Sequence, residues 1–114
     1  MIVMKFGGSS VANAQRMQHV ASIISSYANK KPLVVLSAMG DTTDHLLEAA
    51  DMAKNGIVDI SGVEKLHRDT AKELNIDIPA VDELLQELKS LLTGISMLKE
   101  LTKRSESYSQ WYND

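Results

Sequence analysis

The apolar residues of this chain change their spacing several times, and each change marks a boundary between elements. Ile2, Val3, Met4 and Phe6 form a short apolar run, interrupted only by Lys5, that suits a buried strand. The run passes without a spacer into Gly7-Gly8-Ser9-Ser10, after which the pattern is helical. Met17, Val20, Ala21, Ile24, Tyr27 and Ala28 recur at the spacing of one helical face, which predicts a helix from Val11 to Lys30. Asn29-Lys30-Lys31-Pro32 ends it, because proline has no N–H to donate and keeps its predecessor out of the helical region. Leu33-Val34-Val35-Leu36 shows no polar alternation and predicts a second strand buried on both faces, as in a parallel sheet covered by helices. Strand, helix and strand in this order make a βαβ unit with a right-handed crossover.

A polar loop, Ser37-Ala38-Met39-Gly40-Asp41-Thr42-Thr43-Asp44, follows the second strand and leads into a helical pattern with Leu46, Leu47, Ala50 and Ala53 on one side, capped by Thr43 or Asp44. Ser61-Gly62-Val63-Glu64 has the form of a capping box, continued by Val63, Leu66, Thr70, Ala71 and Leu74, and Asn75 to Pro79 breaks the pattern. Val81, Leu84, Leu85, Leu88, Leu91 and Leu92 form a further stripe closed by Thr93-Gly94; Ile95, Met97, Leu98 and Leu101 open one more short helix. These stripes read as core, and Asp82-Glu83 with Glu87 as a solvated face. The fold class expected is α/β: a short parallel βαβ sheet with several helices, strands and loops in residues 1–60 and a helix-rich second half in residues 61–114. Trp111 and its neighbouring tyrosines are expected to dock on something. Two strands make a narrow sheet with open edges, which predicts self-association through an exposed edge.

Composition narrows the classes of function. A chain of 114 residues suits one compact domain, and 44% hydrophobic with 24% charged residues is a globular balance. No apolar run is long enough to span a bilayer, and the opening residues do not resemble a secretion signal, so neither a membrane partner nor export is expected. The absence of cysteine fits a reducing cytoplasm and excludes thiolate chemistry. With 12 basic and 15 acidic residues interspersed and a net charge of −3, there is no basic face for nucleic acid. His19, His45 and His67 lack metal-ligand spacing and read as helix residues at or near the surface, so no metal site is expected from this chain.

The candidate chemistry lies in the two loops that follow the strands. A strand that turns through Gly7-Gly8 into a helix start leaves backbone N–H groups unpaired where no Cβ blocks an approaching anion, and Lys5 adds an ammonium, so Lys5 to Ser10 reads as a phosphate-holding segment. The alternative is a tight strand-to-helix connection beside a solvated lysine. In an open α/β sheet, ligands sit beyond the carboxyl ends of parallel strands, and both polar loops leave from that end. They should therefore converge on one rim, unless Asp41 to Asp44 serve only as turn and capping residues.

Lys5-Phe6-Gly7-Gly8-Ser9-Ser10-Val11-Ala12, followed by Val34-Val35-Leu36-Ser37-Ala38-Met39-Gly40-Asp41-Thr42-Thr43-Asp44-His45-Leu46-Leu47, resembles the start of the aspartate kinases within the amino acid kinase family. Family members that phosphorylate acetylglutamate, glutamate or uridine monophosphate share a lysine–glycine opening but not this combination. The helical stretch as far as Leu101-Thr102-Lys103-Arg104-Ser105 is also similar to a helical insertion in that family, so the likeness covers nearly the whole chain. The resemblance implies a largely parallel sheet between helix layers and transfer of the γ-phosphoryl of Mg-ATP to the β-carboxylate of L-aspartate, the first step toward lysine, threonine and methionine.

By the same resemblance, Lys5 neutralises charge on the transferring phosphate, while Gly7, Gly8 and Ser9 donate hydrogen bonds to it. Ser37 lies near the phosphates, Thr43 helps hold aspartate, and ATP and Mg2+ serve the complete enzyme. A substrate-binding glutamate of the family falls on Asp114, preceded here by Tyr112-Asn113 in place of an aromatic residue and glycine. The family's later catalytic residues, nucleotide-binding half and regulatory domains have no counterpart in these residues, so the chain is expected to be the N-terminal portion of a kinase domain and inactive alone. The competing expectation is a non-catalytic, truncated relative that associates with itself or a partner.

Overall fold

The computed structural model describes residues 1–113, with side chains described as far as Arg104. Among the described residues the sheet has two strands, β1 (Val3–Phe6) and β2 (Leu33–Leu36), paired in parallel with Val3 opposite Leu33, Met4 opposite Val34, Lys5 opposite Val35 and Phe6 opposite Leu36. Between them lie a 3-10 turn (Gly8–Val11), helix α1 (Ala14–Ser26) and a second 3-10 turn (Ala28–Lys30). After β2 come α2 (Thr42–Lys54), α3 (Ser61–Leu74) and α4 (Pro79–Asn113). This is the α/β order expected from the sequence. None of the helices, among the described residues, is long and apolar enough to cross a membrane.

The first helix begins later than its apolar spacing suggests. Residues Gly8 to Val11 form a separate tighter turn, and Asn13, extended at φ −150° and ψ 177°, caps α1 by accepting the Arg16 N–H on its side-chain oxygen at 3.0 Å. The strands also differ from expectation. Met4, Phe6 and Val34 are half-buried, but Val3 (61% exposed), Leu33 (53%) and Val35 (46%) leave the opposite sheet face open to solvent, together with Lys5. The sequence records what the strands are suited to bury, and the described residues cover only one side.

Contacts cluster in two units where one was expected, the first comprising Met1–Asp44 with Lys65–Asp77 and the second His45–Glu64 with Ile78–Asp114. In the first, Val11, Ala14, Val20, Met39 and Ala71 are buried, as are Thr42 and Thr70. The hydroxyls of these two threonines donate to the carbonyls of Met39 and Leu66 respectively, so their burial leaves no polar group unsatisfied. Helix α2 starts at Thr42, which places Thr43 and Asp44 inside its first turn and not at the cap. The chain leaves α3 through Asn75 at φ 55°, with the amides of Asn75 and Ile76 returning to the carbonyls of Lys72 and Ala71. This pairing closes the helix end with a left-handed residue, and asparagine tolerates that conformation better than most.

The second unit is built around Ala49, Ala53 and Leu92, packed by Val58, Ile60, Leu88 and Ile95. The buried face of α2 therefore runs through Ala49 and Ala53, leaving Leu46 and Leu47 exposed. Helix α4 divides its leucines in the same way: Leu85 and Leu92 are buried, whereas Leu84, Leu91, Leu98 and Leu101 face solvent, so the apolar stripe is broader than the core it serves. Helix α4 continues through Thr93-Gly94, where the Thr93 hydroxyl donates to the Lys89 carbonyl at 2.8 Å and buried Leu92 fixes the turn. At the start of α3, Ser61 occupies the first helical position, and its N–H is accepted by Asp59 Oδ1 at 2.8 Å. Hydrogen bonds from Ser61 hold the Asp59 carboxyl below its usual range. A carboxylate so depressed contributes above its unfolded pKa, and the contribution is lost as pH falls through the folded value. Trp111 lies beyond the residues whose side chains are described.

Two glycines should respond in opposite directions to alanine substitution. Gly40 sits at φ +49°, and a Cβ there would lie 2.9 Å from the Ala12 carbonyl oxygen. Gly94 is helical, and a Cβ there would meet nothing. In chemical denaturation, Gly40→Ala should lower stability by about 2 kcal/mol. Gly94→Ala should raise it by roughly 0.5 to 1 kcal/mol by removing backbone freedom from the unfolded helix segment. Equal midpoints for the two variants would contradict the assigned backbone geometry.

Candidate functional site

The parallel pairing of β1 and β2 brings their C-terminal ends side by side, and the Ser37 N–H extends it by donating to the Phe6 carbonyl at 3.1 Å. Two loops start from there. The first runs through Gly7, extended at φ −77° and ψ 177°, into the 3-10 turn, which closes with the Ser10 N–H donating to the Gly7 carbonyl at 3.1 Å. A helical turn supplies no acceptor for its first amides, here those of Gly8 and Ser9. The second loop passes from Ser37 to Gly40 and enters α2 at Thr42, whose N–H donates to the Met39 carbonyl at 3.0 Å.

These loops touch. A Cβ on Gly8 would lie 3.6 Å from Ser37 Oγ and 3.7 Å from the Ala38 carbonyl oxygen, so the first loop passes directly over the start of the second. Lower down, Gly40 approaches Ala12 so closely that only a residue without a side chain fits. Gly7 is different, because its backbone is one that any residue adopts and a Cβ would meet no protein atom within 4 Å. The fold therefore requires glycine at position 40 but not at position 7.

Among the sequence-predicted site residues, Gly8 and Ser37 are thus brought together. Gly7 and Ser9 are exposed beside them, and Lys5 is exposed on the open face of β1. Thr43 is exposed in the first turn of α2, beyond the contact between the loops. Asp114 lies outside the described residues. Among the described residues there is no cluster of three or more His, Asp or Glu side chains able to hold a metal ion.

Three features of this region were not singled out by the sequence patterns. Asn13 caps α1, Gly40 forms the close crossing, and the Arg16 guanidinium donates through Nη1 to the Ser9 carbonyl at 2.7 Å. Asparagine just ahead of a periodic run was the available signal for the cap. The contact of Arg16 has no signature in spacing. Arg16 also borders a groove of about 650 Å³ whose lining includes Phe6, Ser10, Asn13 and His19.

Comparison with known proteins places this arrangement. Residues 1–100 match the amino acid kinase family. The chain is 48% identical over 113 residues to aspartokinase 1, chloroplastic, of Arabidopsis thaliana, an alignment covering 93% of this chain and 20% of that protein. It is 52% identical over 52 residues to an aspartokinase of Mycolicibacterium smegmatis, covering 44% of this chain and 12% of the other. Among solved structures, the aspartate kinase of Clostridium acetobutylicum superimposes with a TM-score of 0.64 at 26% identity, covering 90% of this chain and 29% of that one. The chain thus spans about a fifth of the length of its Arabidopsis relative. With the family matched over residues 1–100 and both motif loops in contact, this chain belongs to the amino acid kinase family.

Proposed function

We propose that this chain supplies the phosphate-holding loops of an aspartokinase, which moves the γ-phosphoryl of ATP to the β-carboxylate of L-aspartate and gives 4-phospho-L-aspartate. The observation that carries the reading is the contact of Gly8 with Ser37 and Ala38, which joins the two motif loops into one surface. Phosphoryl transfer asks little covalent chemistry of a protein; it needs positioned groups that neutralise charge on the phosphate oxygens. Here the amides of Gly7, Gly8 and Ser9 and the hydroxyls of Ser9 and Ser37 are donors for those oxygens, and the Lys5 ammonium supplies the positive charge. Thr43, farther along the second loop, is assigned to the aspartate, and Asp114 to the family's substrate-binding acid. Mg2+ fits through the phosphates themselves, since it keeps several waters and needs few protein ligands.

The position of Gly7 supports this reading. Because the fold leaves space for a side chain there, keeping that space clear serves whatever approaches the backbone. The reading places the protein in the cytoplasm as part of lysine, threonine and methionine synthesis. The Arabidopsis relative is chloroplastic by name.

Isothermal titration of this chain with ATP and Mg2+, and separately with L-aspartate, tests the proposal. ATP should bind while no phosphate is transferred to aspartate, because the nucleotide-binding half and later catalytic residues of the family are not among these residues. Lys5→Met should weaken ATP binding by at least about tenfold, the effect of losing one charge-assisted contact, with an unchanged circular dichroism spectrum. Restored to a full-length aspartokinase, the same substitution should abolish transfer. Gly7→Ala should leave stability within about 0.5 kcal/mol and still weaken ATP binding. Wild-type affinity in both variants would sink the reading.

A second reading, self-association, is favoured by the open sheet face formed by Val3, Leu33 and Val35. Sedimentation at increasing concentration should then show a dimer or larger species that Val35→Lys dissolves. A monomer at every concentration would remove this reading and leave the first intact.

A further inference from the structure

Arg16 stands where a helix does not favour it. It occupies the first turn of α1, which contains no acidic residue, and the positive end of the helix dipole disfavours a cation there. Local rules broken in this way are expected at functional positions. The guanidinium reaches back across seven residues to the Ser9 carbonyl at 2.7 Å, while the Arg16 backbone N–H is held by the Asn13 side chain at 3.0 Å.

The Ser9 carbonyl and the Ser10 N–H belong to one planar peptide. Arg16 holds its carbonyl end, and the Gly7 carbonyl accepts from its amide end at 3.1 Å. The plane is therefore fixed from both sides without any ligand. A free peptide here could rotate its carbonyl toward an incoming anion and repel it. Occupied by a guanidinium, the Ser9 oxygen is kept from doing so, and the unit charge of Arg16 adds to the positive potential of the loop.

We infer that Arg16 is the positioning residue of the phosphate loop: it locks the Ser9–Ser10 peptide so that the amides before it stay directed at an anion, and touches no reacting atom itself. This deepens the proposed function and rests on it for the identity of the anion. The locking of the peptide does not.

The test uses the 114-residue chain with Arg16→Gln and Arg16→Lys, tripolyphosphate as the anion, and amide hydrogen exchange as an independent readout. In Arg16→Gln, exchange at Ser10 should accelerate by about tenfold, the loss of one restraining hydrogen bond, while exchange at Val20 inside α1 stays unchanged. Tripolyphosphate affinity should fall by a similar factor, and Arg16→Lys should recover part of it through charge alone. Unchanged exchange at Ser10 in Arg16→Gln overturns the inference, as does acceleration at Ser10 and Val20 alike, which would indicate general loosening of the helix. If the wild-type chain binds no tripolyphosphate, the phosphate reading fails for this chain, and Ser10 exchange alone decides whether Arg16 holds the loop.

Discussion

The in-register parallel pairing of two four-residue strands is the constraint on which the site depends. Parallel strands both run toward the same edge, so whatever follows Phe6 and whatever follows Leu36 must emerge as neighbours. A slip of one residue would carry Lys5 to the opposite face relative to Val35 and move Ser37 away from the Phe6 carbonyl. The Ser37 N–H bond to Phe6 carries the pairing one step past the strands, to the point where Gly8 meets Ser37. The crossing of Gly40 with Ala12 then secures the same two loops lower down, by backbone contact too close for a side chain. Register, hydrogen bond and crossing all act on the same pair of loops.

Glycine has different work at each position in this pair. At Gly40 it answers a demand of the fold, a positive φ and a 2.9 Å approach to a carbonyl. At Gly7 the fold makes no demand, and at Gly8 the nearest atoms lie at ordinary contact distance. A sequence reader sees three glycines in loops and assigns them one meaning. The coordinates separate a glycine needed for folding from glycines that leave the backbone open to a ligand.

The order of elements was legible because it rests on long-range periodicity: α1, α2 and α3 each show the helical spacing, and Pro32 and Asn75 to Pro79 punctuate it. The errors have local causes. Val11 fits the apolar spacing of α1 yet belongs to a 3-10 turn, since the three-residue period of that turn and the period of an α-helix coincide over so short a span. Gly94 looked like a helix end because glycine is a poor helix residue, but a cost of about 1 kcal/mol is easily outweighed when Leu92 and Ile95 are anchored on either side. Burial was read least well. Leu85 and Leu92 are inside while Leu84 and Leu91 are outside, although the four are chemically identical, because burial depends on what lies opposite each face. The site was legible as far as motif chemistry goes, in Lys5 to Ser9 and Ser37. Arg16 was not, because a hydrogen bond to a main-chain carbonyl leaves no trace in residue spacing.

The exposed sheet face and the modest share of each relative that this chain matches bear on one another. A parallel sheet is ordinarily covered on both sides, and Val3, Leu33 and Val35 have the composition of covered positions while standing open. Lys5 shares that face. An ammonium on an uncovered face is hydrated, and its attraction for a phosphate is screened by water and salt; on a covered face the same charge acts through a lower dielectric and is worth several times more. Covering the face would therefore do two things together, burying three apolar side chains and strengthening the electrostatics of Lys5. Binding by the loops and catalysis at Lys5 thus make different demands: the loop amides and hydroxyls are in place within this chain, whereas the full effect of the lysine requires the open face to be closed.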